Sequence, residues 1–257
     1  MKLATFNVLH GRSLEDGRVS TERLVAACAS LDADVLCLQE VDRGQTRSGL
    51  VDQAAAVARG IGAVAWRFEP ALVGEPGATW EAATDDNGSA DAGYGVAIVS
   101  RLPVRTWHVV RLRAAPVRAP VAVPGGRGRF ILLPDEPRVG LVAELDGLSD
   151  PVLVATTHLS FVPGYNGFQL RRLTTSLERM GPRCVVLGDL NLPGPFPRWA
   201  TGWRSLATAK TYPAGNPRLQ VDHVLGHGDL PPVTAVASRR LPLSDHLALV
   251  VDLAGLT

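Results

Sequence analysis

The chain of 257 residues is poor in several features that mark common protein classes. It has three cysteines, Cys28, Cys37 and Cys184, and no Cys-x-x-Cys pair. Three thiols cannot all pair within one chain, so a disulfide framework is excluded and zinc-finger spacing is missing. Cys37 and Cys184 sit in or beside apolar runs, so free buried thiols in a reducing compartment are expected. Lysine occurs twice, at Lys2 and Lys210, and the net charge is only +1. That balance does not advertise a general polynucleotide binder. Aromatic residues make up 5%, without the basic-aromatic interleaving of a single-strand binder. No apolar run approaches 18 residues, and the best, Leu247–Leu256, is cut by Asp252. The N-terminus has no apolar core of a leader and enters a patterned strand at once. These absences predict a soluble cytoplasmic protein without a transmembrane segment.

What remains is ordinary globular composition, 46% apolar and 20% charged. Strands are expected at 2–8, 35–38, 94–100, 104–112, 139–145, 152–157, 184–187, 221–225, 233–238 and 247–253. The segments 94–100 and 104–112 read as a strand pair around Arg101-Leu102-Pro103. Helical spacing marks 21–31, capped by Ser20 or Thr21, then 53–59, ended by Gly60, and the amphipathic 168–180. The stretches 69–93, 113–128 and 193–217 are rich in Pro and Gly and read as loops or excursions. Internal repeats and linkers are missing. Many strands with a few helices predict one layered α/β domain spanning 1–257.

The apolar runs stop at chemically useful residues. They meet Asn7, Gln39-Glu40, Thr157-His158, Asp189-Leu190-Asn191, Asp222-His223 and Asp245-His246. Singly, each has a structural explanation: a turn cap, a solvated strand end, an Asx-turn before Pro193, a satisfied histidine. Together they form a set of carboxylates, carboxamides and imidazoles at strand ends, where α/β folds place their sites. Carboxylate oxygens hold a hard cation that neutralises an anionic phosphoester. A further carboxylate can orient or deprotonate water. An imidazole near neutrality can shuttle a proton, and a carboxylate beside it fixes its tautomer and raises its pKa. Glu, Asp, Asn and His without cysteine ligands favour Mg²⁺, with Mn²⁺ as a substitute, over structural zinc. Glu40 is the obvious cation ligand. A serine hydrolase is disfavoured, because a Gly-x-Ser-x-Gly elbow is missing.

The ordered segments Thr5-Phe6-Asn7-Val8, Leu38-Gln39-Glu40-Val41, Tyr94–Arg101, Thr157-His158-Leu159, Gly188-Asp189-Leu190-Asn191, Val221-Asp222-His223-Val224 and Ser244-Asp245-His246 resemble the endonuclease/exonuclease/phosphatase (DNase I-like) superfamily. The resemblance spans nearly the whole chain. It implies a four-layer αββα sandwich, two packed mixed sheets with helices outside, and a metal-dependent phosphoric-ester hydrolase. It assigns Glu40 as principal metal ligand, with Asn7 assisting and Asp245 as a further acidic residue near the metal. It assigns Asp189 and Asn191 to position the attacking water and a phosphate oxygen. His246 becomes the imidazole facing the phosphorus, Asp222 its carboxylate partner, and His158 the family's second histidine. Val96 stands where the family often has asparagine, so any partner of His158 must come from elsewhere. His223 alternates to the face opposite Asp222 and is expected to be structural, as is Arg101.

The substrate is less legible. A small-molecule or lipid phosphoester is favoured, a Mg-dependent nuclease acting on DNA or RNA is the alternative, and a non-catalytic binding protein on the same fold is the third reading. The arginine-rich stretch from Arg101 to Arg129, with Arg138 beside the strand that follows, could grip a polyanion, but scattered solvated arginine is the expectation. Phe161, Tyr165, Phe168, Trp199 and Trp203 could contact a base or lipid, or simply pack.

Overall fold

The computed structural model describes residues 1–87, 92–122, 130–146 and 151–255; the side chains of 119–122 and 130–131 are not considered. In chain order the elements are β1 (Lys2–Asn7), α1 (Thr21–Ser30), β2 (Val35–Arg43), α2 (Gln53–Ile61), β3 (Ala65–Gly74), β4 (Trp80–Ala82), β5 (Gly93–Ser100), β6 (Val104–Leu112), β7 (Arg118–Ala122) and β8 (Phe130–Pro134). The second half adds β9 (Arg138–Leu145), β10 (Val152–His158), α3 (Tyr165–Met180), β11 (Cys184–Asp189), α4 (Phe196–Thr201), β12 (Arg204–Ser205), β13 (Asp222–His227), β14 (Val233–Arg239) and β15 (Ala248–Leu253).

Two mixed sheets face each other. One has the order β14-β15-β1-β2-β5-β3-β4 and the other β12-β13-β11-β10-β9-β6, with β7-β8 a separate ribbon. Strand alternation explains the layering. On β1, Leu3 packs between the sheets while Ala4 and Phe6, with Val8 just beyond the strand, pack toward α1 and α2. On the second sheet, Val154, Val185 and Leu187 fill the inter-sheet core, while Leu153, Ala155 and Val186 pack with Leu170, Leu173 and Leu177 of α3. The result is the expected four-layer αββα sandwich. Helix signals act as read: Ser20 Oγ accepts from the Arg23 amide, and Asp52 accepts from that of Ala55. Gly60 does not end α2, which continues to Ile61 and stops at left-handed Gly62. A Cβ on Gly60 would lie 2.2 Å from Val25 Cγ1, so this glycine lets α2 press against α1.

Several expectations are corrected. The segments 94–100 and 104–112 do not pair: β5 lies between β2 and β3, and β6 pairs with β9 in the other sheet. With both edges of β5 occupied, β6 has no free edge there and crosses over. The stretch 69–93 is not one loop. It contains the end of β3 and all of β4. Its charge disguises it, because Glu69 is buried in β3 only by accepting from Arg67 and Arg111. Within 113–128 lies β7, and within 193–217 lie α4 and β12; residues 123–129 fall outside the described set. Finally, Gln39-Glu40 does not end a strand, since β2 runs on to Arg43.

Candidate functional site

The parity that builds the core also builds the site. Leu3, Thr5 and Asn7 share the inward face of β1, as do Val35, Cys37 and Gln39 on β2. The same face carries Val154, Thr156 and His158 on β10, Val185, Leu187 and Asp189 on β11, and Val224 and Asp222 on β13. Along each strand the inward residue therefore changes from apolar to polar toward one end of the inter-sheet gap. The boundary is a buried crossing: Gln39 Nε2 donates to Thr156 Oγ1 of the opposite sheet at 2.8 Å, and Thr5 Oγ1 bonds Gln39 Oε1 at 3.2 Å.

Glu40 has the wrong parity for this cleft, and a β-bulge corrects it. Gln39 pairs with Val96 and Val41 with Gly95, leaving Glu40 as the extra residue at φ 56°. Bulges re-aim side chains in this way, and left-handed non-glycine residues cluster at functional positions. The opposing Gly95 is needed for close approach, because a Cβ there would lie 2.1 Å from Glu69 O. Asn191 and Ser244, also at positive φ, flank the same cleft.

Asp189 is the hub. Asn7 Nδ2 donates to Glu40 Oε1 at 3.0 Å and to Asp189 Oδ2 at 3.1 Å. The Asn191 amide donates to Asp189 Oδ1 at 3.0 Å. His158 Nε2 and His246 Nε2 lie 3.5 and 3.7 Å from Asp189 Oδ2. On its other side, His246 Nδ1 is 2.9 Å from Asp222 Oδ2. The partner of His158 is thus Asp189, and not a residue on β5. Asn191 Nδ2 donates to Leu159 O, and Asn166 Nδ2 to Asn191 O, locking the strained turn. Asp245 is half-buried and close enough to Glu40 to act on its ionisation.

Burial dominates the electrostatics. It pushes the Glu40 carboxyl up, the Asn7 bond opposes this, and Asp245 adds to it. Burial likewise raises Asp189. For His246, burial would lower the pKa, but the carboxylates of Asp222 and Asp189 overcome it and hold the ring well above the usual histidine range. His158 goes the other way, lowered by burial, by Arg138 and by His246. One imidazole is therefore held charged and the other neutral within one cleft.

Two positions have donor sets for a cation. At the first, Glu40 and Asp245 repel each other in a buried setting beside the Asn7 amide. A hard divalent ion relieves such repulsion, and oxygen donors suit Mg²⁺ or Mn²⁺. At the second, ligand atoms of Asp189, Asp222 and His246 lie within 4.8 Å of one another. There Asp222 engages His246 through Nδ1 and, with Asp189, holds the ring charged, which opposes ligation of a cation, so the Glu40 position is the better fit.

All eight sequence-nominated residues, Asn7, Glu40, His158, Asp189, Asn191, Asp222, Asp245 and His246, thus meet around one cleft. His223 lies on the opposite face with Nε2 2.7 Å from Leu192 O, and Arg101 donates to Ile61 O and Asp32. Sequence reasoning missed Tyr212, whose ring centroid lies 4.9 Å from that of His246. It missed Thr211, whose hydroxyl accepts from the Asp222 amide, and the support from Ser244, which donates to Asn7 O at 2.6 Å. Ser244 stood within a quoted motif; nothing in the sequence marked Tyr212 or Thr211. Arg105 pairs with Glu144 and Asp146 at the surface and is solvated as expected, whereas Arg111 pairs with buried Glu69 and Arg138 is itself buried.

A sequence model described as the Endonuclease/Exonuclease/phosphatase family matches residues 4–246. No curated protein matches the chain. Among solved structures, an endonuclease/exonuclease/phosphatase from Beutenbergia cavernae DSM 12333 is 21% identical, with TM-score 0.67 over 100% of this chain and 72% of that one. A mannosyl-6-phosphatase from Bacteroides thetaiotaomicron VPI-5482 is 16% identical, with TM-score 0.65 over 99% and 100%. A truncated Caenorhabditis elegans TDP2 is 17% identical, with TM-score 0.56 over 97% and 95%. These likenesses concern the fold. The match over nearly the whole length places this chain in the endonuclease/exonuclease/phosphatase family.

Proposed function

We propose that the protein is a divalent-metal-dependent phosphoesterase that hydrolyses a small-molecule or lipid phosphoester by attack of water on phosphorus. The observation that carries this reading is the Glu40–Asn7–Asp189–His246–Asp222 chain of contacts, which joins a cation position to a charged imidazole. Glu40 and Asp245, with Asn7, would hold Mg²⁺. A bound Mg²⁺ supplies charge neutralisation and polarisation of a phosphoryl oxygen. Asp189, raised toward neutrality by burial, is suited to orient water and accept its proton. The left-handed Asn191 turn fixes Asp189 from behind through its amide. His246, kept protonated by Asp222, presents positive charge to the phosphoryl group and can deliver a proton to the leaving oxygen. His158, held neutral by burial and Arg138, serves as a hydrogen-bonding group and not as a second cation.

The nuclease reading is the second choice, because the net charge of +1 gives no general polyphosphate attraction. Plasmid nicking with Mg²⁺, run beside bis-(p-nitrophenyl) phosphate and a phospholipid panel, separates the two. Turnover of the small or lipid esters that is lost on chelation and in Glu40→Ala is expected. Full activity in Glu40→Ala contradicts the metal assignment.

A further inference from the structure

The cleft opens beside a surface that the hydrolytic residues do not use. Three large aromatic or apolar side chains stand out on it: Trp199 is 67% exposed, Phe168 59% and Phe196 50%. Exposed rings gathered in one place mark an interaction surface. They are gathered: Phe196 and Trp199 meet edge to face at 5.2 Å, and Arg171 of α3 donates to Ala200 O of α4, joining the helix that carries Phe168 to the one that carries Trp199. Gly194 N bonds Gln220 O, which ties the segment leading into α4 to the one that carries Leu219, 46% exposed.

The surface borders the site on two sides. Asn191 leads straight into Pro193–Trp199, and Asn166 of α3 holds Asn191 O. From the other side, Tyr212, whose ring is tilted against that of His246, pairs with Leu219 in an isolated β-bridge. The two chain segments that carry these rings are basic in sequence. Residues 151–177 and 190–221 contain no Asp or Glu, but carry Arg171, Arg172, Arg198, Arg204, Lys210 and Arg218. This contrasts with the near-neutral whole.

We propose that this face is a docking surface for an anionic lipid bilayer, which seats the cleft against lipid phosphate. The docking stands on the surface alone; the placing of lipid phosphate in the cleft rests on the phosphoesterase reading above. Trp and Phe partition to the membrane interface, and arginine beside them pairs with anionic headgroups. Leu192 and Pro197 are buried, but Pro193, Gly194 and Pro195 together with Phe196, Arg198 and Trp199 of α4 are exposed and offer one charged side chain among apolar ones, a composition suited to the interface. Phe196 and Trp199 stand at 78° to each other, so they do not present parallel ring faces to successive stacked bases. No helix among the described residues is long and apolar enough to cross a membrane, so docking would be peripheral.

The test is co-sedimentation of the full chain with vesicles of mixed phosphatidylglycerol and phosphatidylcholine, against pure phosphatidylcholine. The wild type should bind the anionic vesicles preferentially and release at high salt. Phe196→Ser with Trp199→Ser, and separately Arg172→Glu with Arg198→Glu, should each weaken binding by at least about tenfold. All four side chains are exposed, so thermal unfolding and hydrolysis of a soluble ester should be unchanged. No retention on anionic vesicles, or equal retention by both variants, overturns the proposal. Retention of a single-stranded oligonucleotide that the aromatic variant loses, without vesicle binding, overturns it in favour of base platforms. Vesicle binding without ester hydrolysis would sink the phosphoesterase reading and leave the docking surface standing.

Discussion

Asp222→Asn isolates the charge that holds His246 in its protonated form. Asp222 is fully buried, its Oδ2 lies 2.9 Å from His246 Nδ1, and its backbone amide is fixed by Thr211 Oγ1. Asparagine is nearly isosteric, so no cavity forms and the strand register with Asp189 is kept. Two opposing forces set the state of the ring: burial favours the neutral imidazole, and the Asp222 and Asp189 carboxylates favour the charged one. Removing the Asp222 charge leaves burial opposed mainly by Asp189, so the pKa of His246 falls. A general acid is worth about 10²–10⁴-fold in rate, which is about 3–5 kcal/mol on the barrier. The variant should therefore lose at least about 10²-fold in kcat. KM and Mg²⁺ dependence should change little, since Glu40 and Asn7 are untouched. The sign of the pH effect follows. If the imidazolium is the active form, activity falls as pH rises through its pKa, and the variant's alkaline limb must move to lower pH. Steady-state kinetics across a pH series on bis-(p-nitrophenyl) phosphate reads both. A loss under about tenfold, or an alkaline limb that stays in place, refutes the reasoning.

Three other perturbations probe separate parts of the account. Gly95→Ala puts a Cβ 2.1 Å from Glu69 O and 2.8 Å from Ala71 N between two bulged strands. It should cost about 3 kcal/mol in urea denaturation, and a change under about 0.5 kcal/mol would show that the bulge relaxes freely. His10 is lowered from 6.5 to about 4 by burial and by Arg47. The unfolded chain therefore takes its proton first, so stability is whole above about 6.5 and falls as pH drops toward 4. Because the ring is partly exposed, about 1–2 kcal/mol is at stake; His10→Asn, which tolerates the positive φ, should flatten this limb of the stability curve, and an unchanged limb contradicts the assignment. Glu40→Gln removes a carboxylate repelled by Asp245, so metal-free Tm should hold or rise. The stabilisation by Mg²⁺, about 2.7 kcal/mol at a hundredfold excess over Kd, should vanish, and its persistence contradicts the proposed site.

The site was readable because strand alternation and core burial are local rules. Asn7, His158 and Asp189 follow the inward parity of the apolar residues before them, and Asp222 that of Val224 after it, so their convergence follows from two sheets sharing one core. Glu40 was nominated by its residue type and motif, but its aim into the cleft depends on a bulge set by Gly95 and by the neighbouring strand, which no local pattern encodes. The same holds for β3, whose Arg67 and Glu69 look solvent-facing until Arg111 of the other sheet is brought beside them. The crossing from β5 to β6 was missed for a related reason. Whether Arg101-Leu102-Pro103 makes a hairpin is decided by whether an edge of β5 is free, and β2 and β3 cover both. Tyr212 reaches His246 only through tertiary packing.

The most direct test of the central claim is the anomalous difference map of a crystal soaked in Mn²⁺. A strong peak should lie within about 2.0–2.3 Å of a Glu40 carboxylate oxygen, on the side of the cleft shared with Asn7 and Asp245. A peak seated between Asp189, Asp222 and His246 instead, with Glu40 unliganded, would contradict the division of this cleft into a cation position and a protonated imidazole.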